Sequence, residues 1–149
     1  MFIEWVHGKV MRFHMLLAGV VLAGLAAACS APPLALTIEA TDMAYSALDL
    51  RAVVGQPVRL TFVNAGALEH DFSIGTIKVG EFNYVEGGME MHQQHGQVPA
   101  AGAPQLHVMA LPGAQAIAEF TPLQAGLYEF FCTTEGHKEA GMHGSLLVQ

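Results

Sequence analysis

From residue 34 onward, apolar and polar residues alternate in short runs. Leu36, Ile38 and Ala40 share one face of a strand expected over residues 34–40, as in a half-buried sheet. Val58, Leu60 and Phe62 do the same over residues 58–64. Shorter runs over residues 50–54, 70–74, 106–111, 116–120, 127–131 and 145–148 complete the set. Turn signals separate them: Gly55-Gln56-Pro57, Asn64-Ala65-Gly66, Leu111-Pro112-Gly113, Thr121-Pro122 and Ala125-Gly126. No 3.6-residue apolar period appears after residue 33. Seven or eight short strands at this spacing predict an all-β domain over residues 34–149, a Greek-key β-sandwich or barrel. Residues 87–104 break the rhythm. They contain Gly87-Gly88, Met89, Met91, His92, His95, Pro99 and Pro104, and read as a long inserted loop.

The N-terminal segment follows another pattern. Lys9 and Arg12 precede an uncharged apolar run from Met15 to Ala28. A membrane-spanning helix needs about 20 residues, and this run is shorter. It has the form of a signal-peptide core ending in Ala26-Ala27-Ala28, with Met11 a second candidate start. Cys29 follows at once, and Leu25-Ala26-Ala27-Ala28-Cys29-Ser30 resembles a bacterial lipobox with its Leu one position too far from the Cys. Three outcomes fit: lipidation at Cys29, ordinary cleavage after Ala28 or Ala31, or retention of the run as an anchor. Residues 1–28 are therefore expected to be a signal segment and 29–33 a tether. The domain is expected outside the cytoplasm, periplasmic or at the cell surface, and anchored to the membrane if Cys29 is lipidated.

Composition narrows the function. The formal net charge of −7 argues against nucleic-acid binding, which needs a basic face. Two Cys allow at most one disulfide, so no disulfide scaffold is present. A lipidated Cys29 would leave Cys132 without an intramolecular partner. A thiol retained in an oxidising compartment points to metal ligation. Eight His and eight Met supply donors for soft and borderline metals.

The donors converge near the C-terminus. Between two expected strands, Cys132, His137 and Met142 are spaced Cys-x4-His-x4-Met. A second imidazole, His70, begins an upstream strand and is followed by Asp71-Phe72. Two His and one Cys with a weak axial Met form the ligand set of a blue-copper electron-transfer site. His143 is the alternative to Met142 for the axial position. Met89, Met91, His92 and His95 offer a possible secondary copper site for Cu(I). His107 and Met109, on one strand face, are possible extensions of it.

Residues 36–148 resemble a cupredoxin. The Cys-x4-His-x4-Met spacing is most similar to the rusticyanin and sulfocyanin type, and azurin and plastocyanin usually have shorter loops. His70-Asp71 matches the family's first-ligand motif, and Gly144 before the last strand also matches. The resemblance implies a single copper held by His70, Cys132, His137 and axial Met142. It implies that Asp71 ties its loop to the Cys loop by hydrogen bonds, with Thr133 or Thr134 as partner. It also implies electron exit at the His137 ring.

The expected function is therefore single-electron transport by a monomer, between redox protein partners that include a membrane-bound oxidase or reductase. The alternative is copper trafficking or storage using the Met/His-rich loop. An enzyme is not expected. A multicopper oxidase needs His-x-His pairs, a copper nitrite reductase needs two such domains, and a binuclear copper centre needs two Cys in the ligand loop.

Overall fold

A computed structural model describes residues 31–87 and 102–149. The expected signal segment, Cys29 and the quartet Met89, Met91, His92 and His95 lie outside them.

Ten strands appear among the described residues: β1 (Leu34–Thr41), β2 (Ala44–Tyr45), β3 (Asp49–Ala52), β4 (Val58–Asn64), β5 (His70–Ile74), β6 (Val79–Glu86), β7 (Leu106–Ala110), β8 (Gln115–Pro122), β9 (Gly126–Phe131) and β10 (His143–Val148). They form two five-stranded sheets, ordered β2-β1-β4-β8-β6 and β3-β10-β9-β5-β7. Pairing is antiparallel except for β1 with β4 and β3 with β10. The fold is an all-β sandwich.

The alternation decides which side chains turn inward. In β4, Val58, Leu60, Phe62 and Asn64 are buried, with intermediate residues between them. The three apolar ones join Ile38, Ala118 and Phe120 of the same sheet and Phe72, Val108, Phe130 and Leu146 of the other in one apolar core. Burying each large side chain of this kind contributes roughly 1.5–3 kcal/mol. Phe130 stacks on Phe72 at 4.8 Å between centroids and meets Tyr45 at 5.6 Å.

All eight expected strands are present, and two further strands join them. β2 is a two-residue partner to the end of β1. β6 is an edge strand paired with β8, with register irregularities between Val79 and Phe82 and between Tyr84 and Glu86. Bulges and an exposed edge face interrupt the period-2 signal that marks the other strands.

The sheet order sets the site. β5 and β9 are neighbours, with Ser73 opposite Phe131. The start of β5 therefore lies beside the end of β9, and β10, antiparallel to β9, begins at the same end.

Candidate metal centre

Four side chains meet at this end of the sandwich. His70 opens β5, Cys132 follows β9, and His137 and Met142 lie on the connection from β9 to β10. His70 and Met142 are fully buried, Cys132 is 1% exposed and His137 4%. The connection holds itself in shape. His137 N–H donates to Thr134 O, Ala140 N–H to Gly136 O and Met142 N–H to His137 O, at 3.0–3.1 Å. Cys132 N–H donates to Met142 O at 3.0 Å, closing the loop on itself. Lys138 fixes its outer side, with Nζ 2.7 Å from Glu129 and 4.5 Å from the Phe131 ring centroid.

The donor atoms have the spacing of a metal site. Cys132 Sγ lies 3.6 Å from His137 Nδ1 and 4.0 Å from His70 Nδ1. A first-row metal ion bonded at about 2.0 Å to nitrogen and about 2.3 Å to sulfur, with about 120° between the bonds, would span about 3.7 Å from N to S. The sulfur and both imidazoles each offer a ligand atom within 4.8 Å of the others. The two rings sit 5.0 Å apart, tilted by 48°. A thiolate with two imidazoles is a donor set that suits copper, and these residues fit it. Burial pushes the Cys132 thiol above its ordinary pKa, and the neighbouring Asp71 charge acts in the same direction. The metal-free thiol is thus protonated at neutral pH and points at Asp71 Oδ2, 3.6 Å away.

The surrounding polar groups are tightly used. Asp71 is 3% exposed. Its Oδ2 accepts Thr133 N–H at 2.9 Å and Thr133 Oγ1–H at 2.8 Å, and its Oδ1 accepts Ser73 Oγ–H at 2.6 Å. Ser73 Oγ is also 2.8 Å from His107 Nδ1, and the Tyr84 hydroxyl donates to His107 O. The Tyr45 hydroxyl donates to Asp71 O. Thr134 takes a different partner from Asp71: its hydroxyl donates to Glu69 O at 3.2 Å. Both threonines thus join the Cys132 loop to the β5 entry, one through a side chain and the other through the backbone. His143 is half exposed and faces Glu129 Oε1 at 3.9 Å, away from the buried group.

Residues 33–149 match a family described as copper binding proteins, plastocyanin/azurin family. The chain belongs to that family. Copper is its cofactor. It is 34% identical over 95 residues to the "Copper-resistant cuproprotein CopI" of Rubrivivax gelatinosus, a match covering 64% of this chain and 53% of that protein. The chain therefore spans about half the length of this relative. It is 28% identical over 131 residues to the protein of the same name in Pseudomonas aeruginosa, covering 72% of each. Among solved structures, the dithionite-reduced auracyanin of Roseiflexus castenholzii superposes with a TM-score of 0.58 at 23% identity, covering 80% of this chain and 99% of that one. That likeness shows the same fold.

Within this family frame, several residues around the copper site are not apparent from the motif alone. Ser73 lies two positions after Asp71 on one strand, so period-2 spacing places them on the same face. His107 is opposite Ser73 in register and belongs to the Asp71 surroundings. Asp42 is brought to His70 by the β1–β2 turn, and no local sequence pattern marks it.

Proposed function

We propose that this chain is an exported, mononuclear blue-copper protein that carries single electrons between redox partners. The carrying observation is the group Cys132, His70 and His137, buried and spaced for a metal between strands that fix it from two sides. Copper supplies the chemistry by alternating between its +1 and +2 states. The protein holds the donors in place, so little has to move when the charge changes. Asp71, Thr133 and Thr134 lock the two loops that carry His70 and Cys132. The core around Phe72 and Phe130 excludes water from beneath them. Met142 is the proposed axial ligand and His137 the proposed electron exit. The reading is non-enzymatic and monomeric. It places the domain in the periplasm or at the cell surface, anchored through a lipidated Cys29 beside a membrane-bound oxidase or reductase.

Copper trafficking is the second reading, favoured by the copper-resistance name carried by both relatives. Release kinetics separate the two. Handing copper on requires donors that an acceptor can reach, whereas the four proposed ligands here are buried. The test is an optical spectrum of copper-loaded residues 30–149, followed by Cu(I) transfer to a competing chelator. An intense visible band, absent in Cys132→Ser, with slow transfer supports the carrier. A colourless complex, or rapid transfer, refutes it.

A further inference from the structure

His70 presents an unanswered question at its far nitrogen. Its Nδ1 faces Cys132 Sγ, so copper bound at Nδ1 would leave the ring proton on Nε2. Nε2 is buried and has no hydrogen-bond partner, the one such side-chain atom among the described residues. Buried donors are rarely left unpaired, and metal-bound imidazoles usually donate their second N–H to a carboxylate or carbonyl. The nearby acceptor is Asp42 Oδ1 at 3.6 Å, just beyond hydrogen-bond range.

The surroundings are arranged for this approach. Asp42 lies in the two-residue turn joining Thr41 to Ala44, and its neighbour Met43 is held at φ 66°, in the left-handed region that L residues avoid. Asp42 Oδ1 already accepts Ala67 N–H at 2.9 Å, which docks the turn on the loop leading to His70. Between the carboxylate and the ring stands Gly66. A Cβ there would lie 2.6 Å from Asp42 Oδ1 and 2.9 Å from His70 Nε2, so any larger residue would fill the gap. The Ala67 hydrogen bond holds the Asp42 carboxyl below its usual range.

We propose that Asp42 is a positioning residue for the copper site: its carboxylate accepts the Nε2–H of His70 across the Gly66 gap, fixing the ring tautomer and strengthening His70 as a donor. The proposal rests on the reading that His70 binds copper. A shift of about 0.6 Å brings the pair to ordinary N–H···O length, and the half-exposed Asp42 side chain has room to make it. A carboxylate on the distal nitrogen adds electron density to the imidazole, which favours Cu(II) over Cu(I).

The test compares wild type with Asp42→Ala, Asp42→Asn and Gly66→Ala. Asn keeps an oxygen for both N–H groups and removes the charge. In the diamagnetic Cu(I) protein, the Nε2–H of His70 should exchange slowly with solvent in wild type and Asp42→Asn, and rapidly in Asp42→Ala and Gly66→Ala. Cu(II) affinity should fall tenfold or more in Asp42→Ala, with a smaller loss for Cu(I). A tenfold difference between the two losses is a rise of about 59 mV in reduction potential. Asp42→Asn should lie between. If wild type shows the visible band but Asp42→Ala keeps both the slow proton and the potential, the proposal is overturned. A wild-type complex with no such band would overturn the His70–copper reading, and the proposal with it.

Discussion

Removing the Asp71 carboxylate should destabilise the metal-free protein by about 2–4 kcal/mol, and the amide should restore most of that. Three N–H and O–H donors end on this side chain, Thr133 N–H, Thr133 Oγ1–H and Ser73 Oγ–H, at 2.9, 2.8 and 2.6 Å, beside the weaker Cys132 thiol at 3.6 Å. Each hydrogen bond to a charged group contributes about 1.5–3 kcal/mol. The sum is not the expected loss. In Asp71→Ala, the Ser73 hydroxyl can turn to His107 Nδ1, already 2.8 Å away. The partly buried Thr133 hydroxyl can reach solvent. The Thr133 N–H is left stranded, and the cost of burying the carboxylate disappears. Those offsets reduce the loss to about one or two charged hydrogen bonds. Asp71→Asn is nearly isosteric. Its carbonyl can accept both Thr133 donors and its NH2 can donate to Ser73 Oγ, so about 1 kcal/mol or less is lost. Urea unfolding followed by far-UV circular dichroism, on residues 30–149 without metal, measures both. A loss below 1 kcal/mol for Ala, or an equal loss for Asn and Ala, would refute the claim that Asp71 locks the two loops.

Met142→Leu conserves volume in a fully buried position and should raise the reduction potential, whereas His143→Ala, which alters a half-exposed ring, should leave the visible spectrum nearly unchanged. Cyclic voltammetry and absorption spectra check this pair, and the reverse pattern would exchange their roles. Stability should fall as pH rises past about 10, the ordinary tyrosine pKa. Burial raises Tyr45 well above it and pushes Tyr84 up to about 12, so the unfolded chain loses those protons first and the tyrosine contribution declines between the two values. Denaturant midpoints at pH 8 to 12 test it, and a flat profile contradicts it. Gly144→Ala should cost about 1–3 kcal/mol or more, because the new Cβ would lie 2.3 Å from the Phe130 ring and 2.5 Å from Leu48 O. A thermal melt unchanged from wild type would show that β10 can move away.

Strands with one face inward were legible because period 2 survives wherever a core absorbs alternate side chains. β4, with its strict buried-intermediate alternation, is the clearest case. β6 was missed because its residues sit on an irregular edge, and β2 because two residues carry no period. The candidate ligands were visible for a different reason. Cys132, His137 and Met142 lie in one connection, so their proximity is local, and His70 was marked by the strand it opens. Asp42 carried no such mark. Its approach to His70 depends on how the β1–β2 turn docks on Ala67, a contact between residues 25 positions apart. His107 paired with Met109 in the sequence as a metal-binding extension. Register places it opposite Ser73, where it faces the hydrogen-bond network of Asp71.

Two carboxylates near the proposed ligands set an electrostatic balance. Asp71 lies 3.6 Å from the Cys132 sulfur, and Asp42 lies 3.6 Å from the His70 ring. Each negative charge favours the more positive copper state. A thioether from Met142, as a weak extra donor, would act in the same direction, so that its loss destabilises Cu(II) more than Cu(I). The carboxylates are unequal in exposure. Asp71 is almost wholly buried, where low dielectric strengthens its field, and both oxygens are committed, Oδ2 to Thr133 on the Cys132 loop and Oδ1 to Ser73 of its own strand. Its electrostatic and structural effects are therefore inseparable in a simple deletion. Asp42 is half exposed on a turn, where solvent screens its charge, and its leverage comes from one directed contact with the ring. A site built this way gains rigidity from the inner carboxylate and leaves the outer one as the group through which potential can change without rebuilding the core.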